Sequence, residues 1–190
     1  MLIKIILTGV LAVVLVGIYW LASNLFFLET AQYEVSMKEG DFEVRDYSEL
    51  AVVTASMQSP EGDSAFRRLF QFIQGENARQ EKISMTTPVF VEDGKMSFVV
   101  PDETLRKGVP DPTGEDVVLE DRAAIRVAVH RFSGHANETS RREALAALKN
   151  WMAEKGLESE GEAFFAYYDA PFVPGPFRRN EVMLRLGPDS

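Results

Sequence analysis

Apolar positions along this chain follow three patterns. From Ile5 to Ala22 they run on without a charge. A helix of about 20 apolar residues spans the ~30 Å hydrocarbon layer, and Tyr19 and Trp20 near the end of the run suit the interface. The run is apolar on every face, which argues against a core helix. It is longer than the apolar stretch of about 7–15 residues in a cleaved signal peptide, and Leu21-Ala22-Ser23 is a poor small-x-small site. The expectation is an uncleaved transmembrane helix over residues 1–28 and one domain over 29–190. Lys4 before the run and Glu29 after it favour a single-pass arrangement. The N-terminus is then cytoplasmic, with the domain on the exported (periplasmic or extracellular) side.

Beyond Glu29 the period switches between two and 3.6. Tyr33–Met37 and Phe42–Tyr47 alternate as strands around the turn Glu39-Gly40-Asp41. Leu50–Met57 is apolar and β-branched, a buried strand. Ser59-Pro60-Glu61-Gly62 punctuates the chain. Asp63 or Ser64 then caps a helix to about Gln74, with Phe66, Leu69, Phe70 and Ile73 as its apolar stripe and Gly75 as its stop. Ile83–Val91 and Lys95–Val100 read as strands around Asp93-Gly94, a strong hairpin signal because both turn residues need positive φ. Residues 102–115 read as a loop.

The second half repeats this order. Val117–Glu120 and Ala124–Phe132 are strands, and Ser140-Arg141-Arg142-Glu143 reads as a capping box. The helix it opens carries Leu145, Leu148, Trp151 and Met152 on one face and ends at Gly156. Ala163–Tyr168 and Val182–Leu186 are strands around a Pro/Gly-rich loop at 170–180. Pro88-Val89-Phe90-Val91 and Pro171-Phe172-Val173-Pro174 look like equivalent tetrapeptides. The fold class is therefore α+β. Two pseudo-repeated strand-strand-helix-strand-strand units form one mostly antiparallel sheet or open barrel with two main helices.

Charge and composition remove several function classes. The net charge is −9 and every acid lies from Glu29 onward, so the domain repels phosphate backbones and is not a nucleic-acid binder. There is no cysteine, hence no disulfide, thiolate metal site or cysteine nucleophile. His130 and His135 lack H-E-x-x-H spacing, so no zinc hydrolase is expected and no metal ligand is assigned. No nucleophile elbow or phosphate loop is present. What remains is the aromatic helix at 63–74 with Arg67 and Arg68 beside Phe66, Phe70 and Phe72. Periodicity alone reads this as a core stripe with solvated arginines. The functional reading is a groove for a flat apolar ligand whose carboxylates meet arginine. Arg178 and Arg179 after the aromatic loop fit the same purpose.

Several segments line up with one family. Tyr33-Glu34-Val35, Phe42 to Tyr47, Phe72-Ile73-Gln74-Gly75-Glu76-Asn77, Lys82 to Val89 (K-I-x-M-T-x-P-V) and Arg179-Asn180-Glu181-Val182 resemble the SOUL haem-binding protein family from about residue 31 to 187. The resemblance implies a distorted open barrel and a shallow apolar groove for haem or another tetrapyrrole, beside the first helix and the loop before the last strand. It implies Phe66, Phe70, Gln71 and Val173 as the groove's border. Arg67 and Arg178 are added for their charge. Some members carry their supposed iron ligand, a His, where this chain has Asp46. A carboxylate there is a poor haem ligand, so binding through apolar contact and propionate pairing fits this chain better.

The resulting expectation is a membrane-tethered tetrapyrrole carrier or buffer. The alternatives are an enzyme acting on a tetrapyrrole or other apolar molecule, with Glu181 as acid/base, and an interaction protein that kept the fold and lost the ligand. An open groove beside helix 63–74 separates the first from the last.

Overall fold

The computed structural model describes residues 28–57 and 63–187. The expected membrane anchor and the turn at 59–62 lie essentially outside the described residues, and among these no helix is long and apolar enough to cross a membrane.

The strands are β1 (Glu29–Thr30), β2 (Tyr33–Glu39), β3 (Phe42–Tyr47), β4 (Leu50–Ser56), β5 (Thr86–Thr87), β6 (Val89–Glu92) and β7 (Lys95–Val99). They continue as β8 (Val117–Arg122), β9 (Ile125–Phe132), β10 (Ser159–Tyr167) and β11 (Asn180–Leu186). The helices are α1 (Asp63–Ile73), α2 (Asp102–Lys107) and α3 (Glu138–Lys155). Nine strands form one antiparallel sheet in the order β2-β3-β9-β11-β10-β6-β7-β4-β8, and β1 pairs with β5 in parallel.

The sheet has an internal pseudo-symmetry. In β4-α1-β6-β7, β4 pairs with β7 and β7 with β6; in β9-α3-β10-β11, β9 pairs with β11 and β11 with β10. β6 and β10 pair with each other, Phe90 opposite Ala166, and join the two units. The strand before each unit crosses to the other one: β3 pairs with β9 and β8 with β4. The strand-strand-helix-strand-strand repeat read from the sequence is therefore present. The tetrapeptide equivalence is not. Val89–Val91 lies in β6, whereas Phe172-Val173 lies in the loop beyond β10, the strand that matches β6.

The sheet curls without closing. Tyr47 on β3 and Phe90 on β6 are four strand spacings apart, about 19 Å in a flat sheet, yet their ring centroids are 6.3 Å apart. The inward side is filled by Val52, Phe90, Val129, Phe164 and Met183, and no helix of the described residues belongs to this cluster. Both long helices pack outside. α1 buries Ala65, Leu69, Phe72 and Ile73 on Val53, Met96 and Phe98, and α3 buries Ala144, Leu148, Trp151 and Met152 on Val44, Ala128, Val182 and Leu184.

Local chemistry sets the ends of these elements. The β6–β7 turn has positive φ at Asp93 (50°) and Gly94 (70°), as its Asp-Gly sequence requires. α3 starts two residues before the expected capping box. Asn137 is its cap, accepting from Ser140 N at 2.9 Å, while the Ser140 hydroxyl turns back to His135 O. Among the described residues a short third helix joins the two main ones expected. Residues 102–107 form a helical turn and a half, with Asp102 and Glu103 in its first turn and Arg106 and Lys107 in its last, the charge order that suits the helix dipole.

Candidate functional site

α1 does not bury its whole apolar stripe. Leu69 is fully buried, but Phe66 and Phe70, one turn apart, are 38% and 43% exposed. Their rings lie 6.0 Å apart and nearly parallel, and Phe66 also meets Phe98 edge-on at 5.4 Å. Leaving each ring partly exposed forgoes roughly 1 kcal/mol of burial, so this face of α1 has a cost that simple folding does not explain.

The two rings form one wall of an open cavity of about 750 Å³. Its floor is the outer face of the sheet, with Met85, Val89, Met96 and Tyr167. The opposite wall comes from two loops, His135–Asn137 before α3 and Tyr168–Phe172 after β10, together with Arg178. These loops are tied together. Gly134 N donates to Gly175 O at 2.9 Å, and Asn180 Nδ2 donates to Gly134 O at 3.0 Å. Leu28, the first described residue, also lines the cavity.

Arg178 is held by its own loop. Its Nε donates to Val173 O at 2.7 Å, another N–H reaches Pro171 O, and Nη1 donates to His135 Nδ1 at 3.2 Å. Accepting at Nδ1 leaves the imidazole proton on Nε2, and the Cδ2–Nε2 edge of the ring packs on Gly175. Among the described residues no three His, Cys, Asp or Glu side chains group to hold a metal ion.

Three of the six residues read from the sequence meet at the cavity: Phe66, Phe70 and Arg178. Arg67 points to solvent from another face of α1, and Gln71 lines a separate 260 Å³ depression with Arg68, Glu76 and Glu115. Val173 is outside the cavity wall and acts on it through the carbonyl that holds Arg178. Helical spacing explains the split: Arg67 and Gln71 each sit about 100° round the helix from the neighbouring phenylalanine. His135 was missed as a wall residue, because only the Gly134–Gly175 contact brings its turn to the cavity. Asp46 is remote from it, on β3, 3.8 Å from Arg126. His130 stacks on Phe42 at 4.4 Å beside α3.

Glu181 has no exposed surface and does not line the cavity. Arg45 grips it through Nη1–Oε2 at 2.7 Å and Nη2–Oε1 at 2.9 Å, Arg179 through Nη2–Oε1 at 2.7 Å, and the Tyr168 hydroxyl donates to Oε2 at 2.9 Å. A carboxylate so occupied has no free lone pair for proton transfer to a ligand. Burial pushes Tyr168 far above the usual phenol range and Tyr47 up to about 12.

The motif segments quoted above have structural roles around this cavity. Asn77, itself buried, closes α1: Nδ2 donates to Phe72 O at 3.0 Å and to Glu81 O at 2.8 Å, and Oδ1 accepts from Arg79 N and Glu81 N. Ile83 N donates to Ile73 O at 2.9 Å. The return carries Met85, Thr87 and Val89 to the floor of the cavity.

An antiparallel sheet with two outer helices and an open apolar cavity beside one of them defines an α+β protein with a cavity of ligand size. The SOUL heme-binding protein family matches residues 28–185, and the chain belongs to that family. It is similar to heme-binding protein 2 of Mus musculus, 32% identical over 170 residues, 81% of this chain and 82% of that one. It is also similar to heme-binding protein 1 of Sus scrofa, 28% identical over 177 residues, 83% and 92% of the two chains. Among solved structures, the C-terminal domain of EcmrR matches with a TM-score of 0.52 at 13% identity, covering 82% of this chain and 98% of that one. A hydrolase from Listeria innocua matches with 0.53 at 12%, covering 80% and 94%. At such identities these two likenesses concern the fold alone.

Proposed function

We propose that this protein binds haem or a related tetrapyrrole in the 750 Å³ cavity and acts as a membrane-tethered carrier or buffer. One observation carries the reading: Phe66 and Phe70 are partly exposed while the other apolar residues of α1 are buried, and both line an open apolar cavity. The volume lies within the roughly 300–1,000 Å³ of small-molecule sites. Flat apolar rings suit the two parallel phenylalanines, and a carboxylate suits Arg178. A chain that had lost its ligand would gain stability by filling this space, and here it is open. Bound haem would bring the chemistry of its iron; the chain supplies an apolar enclosure and an orienting cation.

The wall chemistry supports binding without a histidine ligand. His135 Nδ1 accepts from Arg178, and Nε2 carries the proton, so neither nitrogen offers a lone pair.

The tether belongs to the same reading. Residues 1–28 would form the anchor and 29–190 the domain. Leu28, at the end of the apolar N-terminal segment, borders the cavity. Phe172 and Phe177 in the adjacent loop are 70% and 79% exposed. These three residues put apolar surface at the mouth, which suits a ligand that partitions into the bilayer. The acidic net charge gives no purchase on nucleic acid.

The test is a spectroscopic titration of the protein with haem. The expected result is saturable binding with a shifted Soret band at micromolar haem. The shift should persist in His130→Ala and His135→Ala and weaken in Phe66→Ala with Phe70→Ala. No spectral change at micromolar haem would sink the reading.

A further inference from the structure

The cavity does not end at Tyr167. A second space of about 630 Å³ continues from it, and Met96, Ala136, Asn137 and Tyr167 line both. The two follow the outer face of β6, β7 and β10, between α1 and the start of α3. The continuation differs in chemistry from the apolar cavity, because Arg141 on the first turns of α3 lines it.

Arg141 is placed but not neutralised. Its guanidinium carbon lies 5.5 Å from the centre of the Phe165 ring, and Tyr167 lines the same space. Among the described residues no carboxylate pairs with it. Glu138, at the outer lip, leans towards Arg142 at 3.9 Å. An arginine held over a ring beside a phenol, in a groove whose one lining carboxylate among the described residues pairs with Arg142 instead, is a ready site for a ligand carboxylate: the guanidinium and the Tyr167 hydroxyl are adjacent donors.

We infer that Arg141 and Tyr167 form a second, anionic subsite, so that the groove takes an elongated apolar ligand with a carboxylate at the Arg141 end. This rests on the reading of the apolar cavity as the seat of the ligand body. It adds a cation that the sequence did not single out. It also separates two roles: Arg178, tied to its own loop, borders the apolar cavity, and Arg141 serves the continuation.

A pair of probes tests the subsite: mesoporphyrin, which carries two carboxylates, and its dimethyl ester, compared by fluorescence titration on the full chain. The expected result is tighter binding of the diacid than of the ester by about tenfold or more, the value of one charge-assisted contact. Arg141→Gln should remove most of that preference and leave ester affinity unchanged. Tyr167→Phe should reduce it by several-fold, and Arg142→Gln, on the neighbouring position, should not change it. Equal loss of both probes in Arg141→Gln, or loss of neither, overturns the subsite while the apolar cavity stands. If neither probe binds the unaltered protein, the cavity reading and the subsite both fail.

Discussion

Arg45 and Glu181 lie 136 positions apart in the chain and meet side by side inside the curled sheet, 2.7 Å from Nη1 to Oε2, with 2% and 0% of their side chains exposed. Arg45 stacks on Tyr33 at 4.3 Å, and Arg179 stacks on Tyr168 at 3.8 Å while holding the same carboxylate. Removing one member leaves buried charge without a partner. Glu181→Gln should therefore cost about 3–5 kcal/mol in urea unfolding. Arg45→Met combined with Glu181→Leu should recover a substantial part of that loss. Because Glu181 is outside the cavity, whatever fraction of Glu181→Gln folds should bind haem with unchanged affinity; a selective loss of affinity would return Glu181 to the ligand site.

The same cluster predicts alkaline sensitivity. Burial raises Tyr47 to about 12, above the unfolded value near 10. The folded state thus holds this proton more tightly. Its contribution is complete below about pH 10 and is lost as pH rises towards 12, with an upper value of about 3 kcal/mol. Unfolding followed from pH 9 to 12, with tyrosinate absorbance as the second signal, should show stability falling in that window. Tyr47→Phe should flatten the fall.

Neighbouring positions on α1 should separate stability from binding. Leu69→Ala removes a fully buried side chain and should cost about 2–5 kcal/mol of stability. Phe66→Ala and Phe70→Ala remove partly exposed rings and should cost about 1–2 kcal/mol each, while each weakens haem binding by about tenfold. Thermal denaturation and haem titration on the three variants give the comparison. A ligand effect of Leu69→Ala larger than that of both phenylalanines would move the site elsewhere.

Deleting residues 1–27 should release the protein from membranes and leave haem affinity unchanged, since Leu28 and the rest of the wall remain. Flotation with vesicles and haem titration measure the two quantities. Phe172→Ser with Phe177→Ser in the truncated chain should abolish any residual vesicle binding. If the truncated chain neither folds nor binds, the N-terminal segment is part of the core.

Much of this protein is legible one element at a time. The alternation of Phe42–Tyr47 matches β3 to the residue, and Asp93-Gly94 marks the β6–β7 hairpin, because turn chemistry and side-chain alternation are local properties. The α1 stripe, the stop at Gly156 and the repeated order of elements follow from the same local rules. The family likeness placed the cavity beside α1 and the loop before β11. Errors came where two local signals competed. Ser140 looked like a cap because a capping box fits there, yet Asn137 has the same chemistry three residues earlier and satisfies Ser140 N itself.

What the sequence could not decide is which side of each element meets which partner. Glu43, Arg45 and Tyr47 share one side of β3 by alternation, and only the curl of the sheet puts Arg45 out of water against Glu181. Phe66 and Leu69 are equally apolar, and only the separation of α1 from the loops at 135 and 170 leaves the first at a cavity and buries the second. Arg67, Arg141 and Arg178 are alike in the chain. The pairing of β6 with β10 sets the two units side by side and brings α3 and its Arg141 to the groove, while the turn of α1 leaves Arg67 in solvent. Period and turn chemistry act over a few residues, whereas the groove is made by contacts between residues far apart in the chain, and those exist only once the sheet has curled.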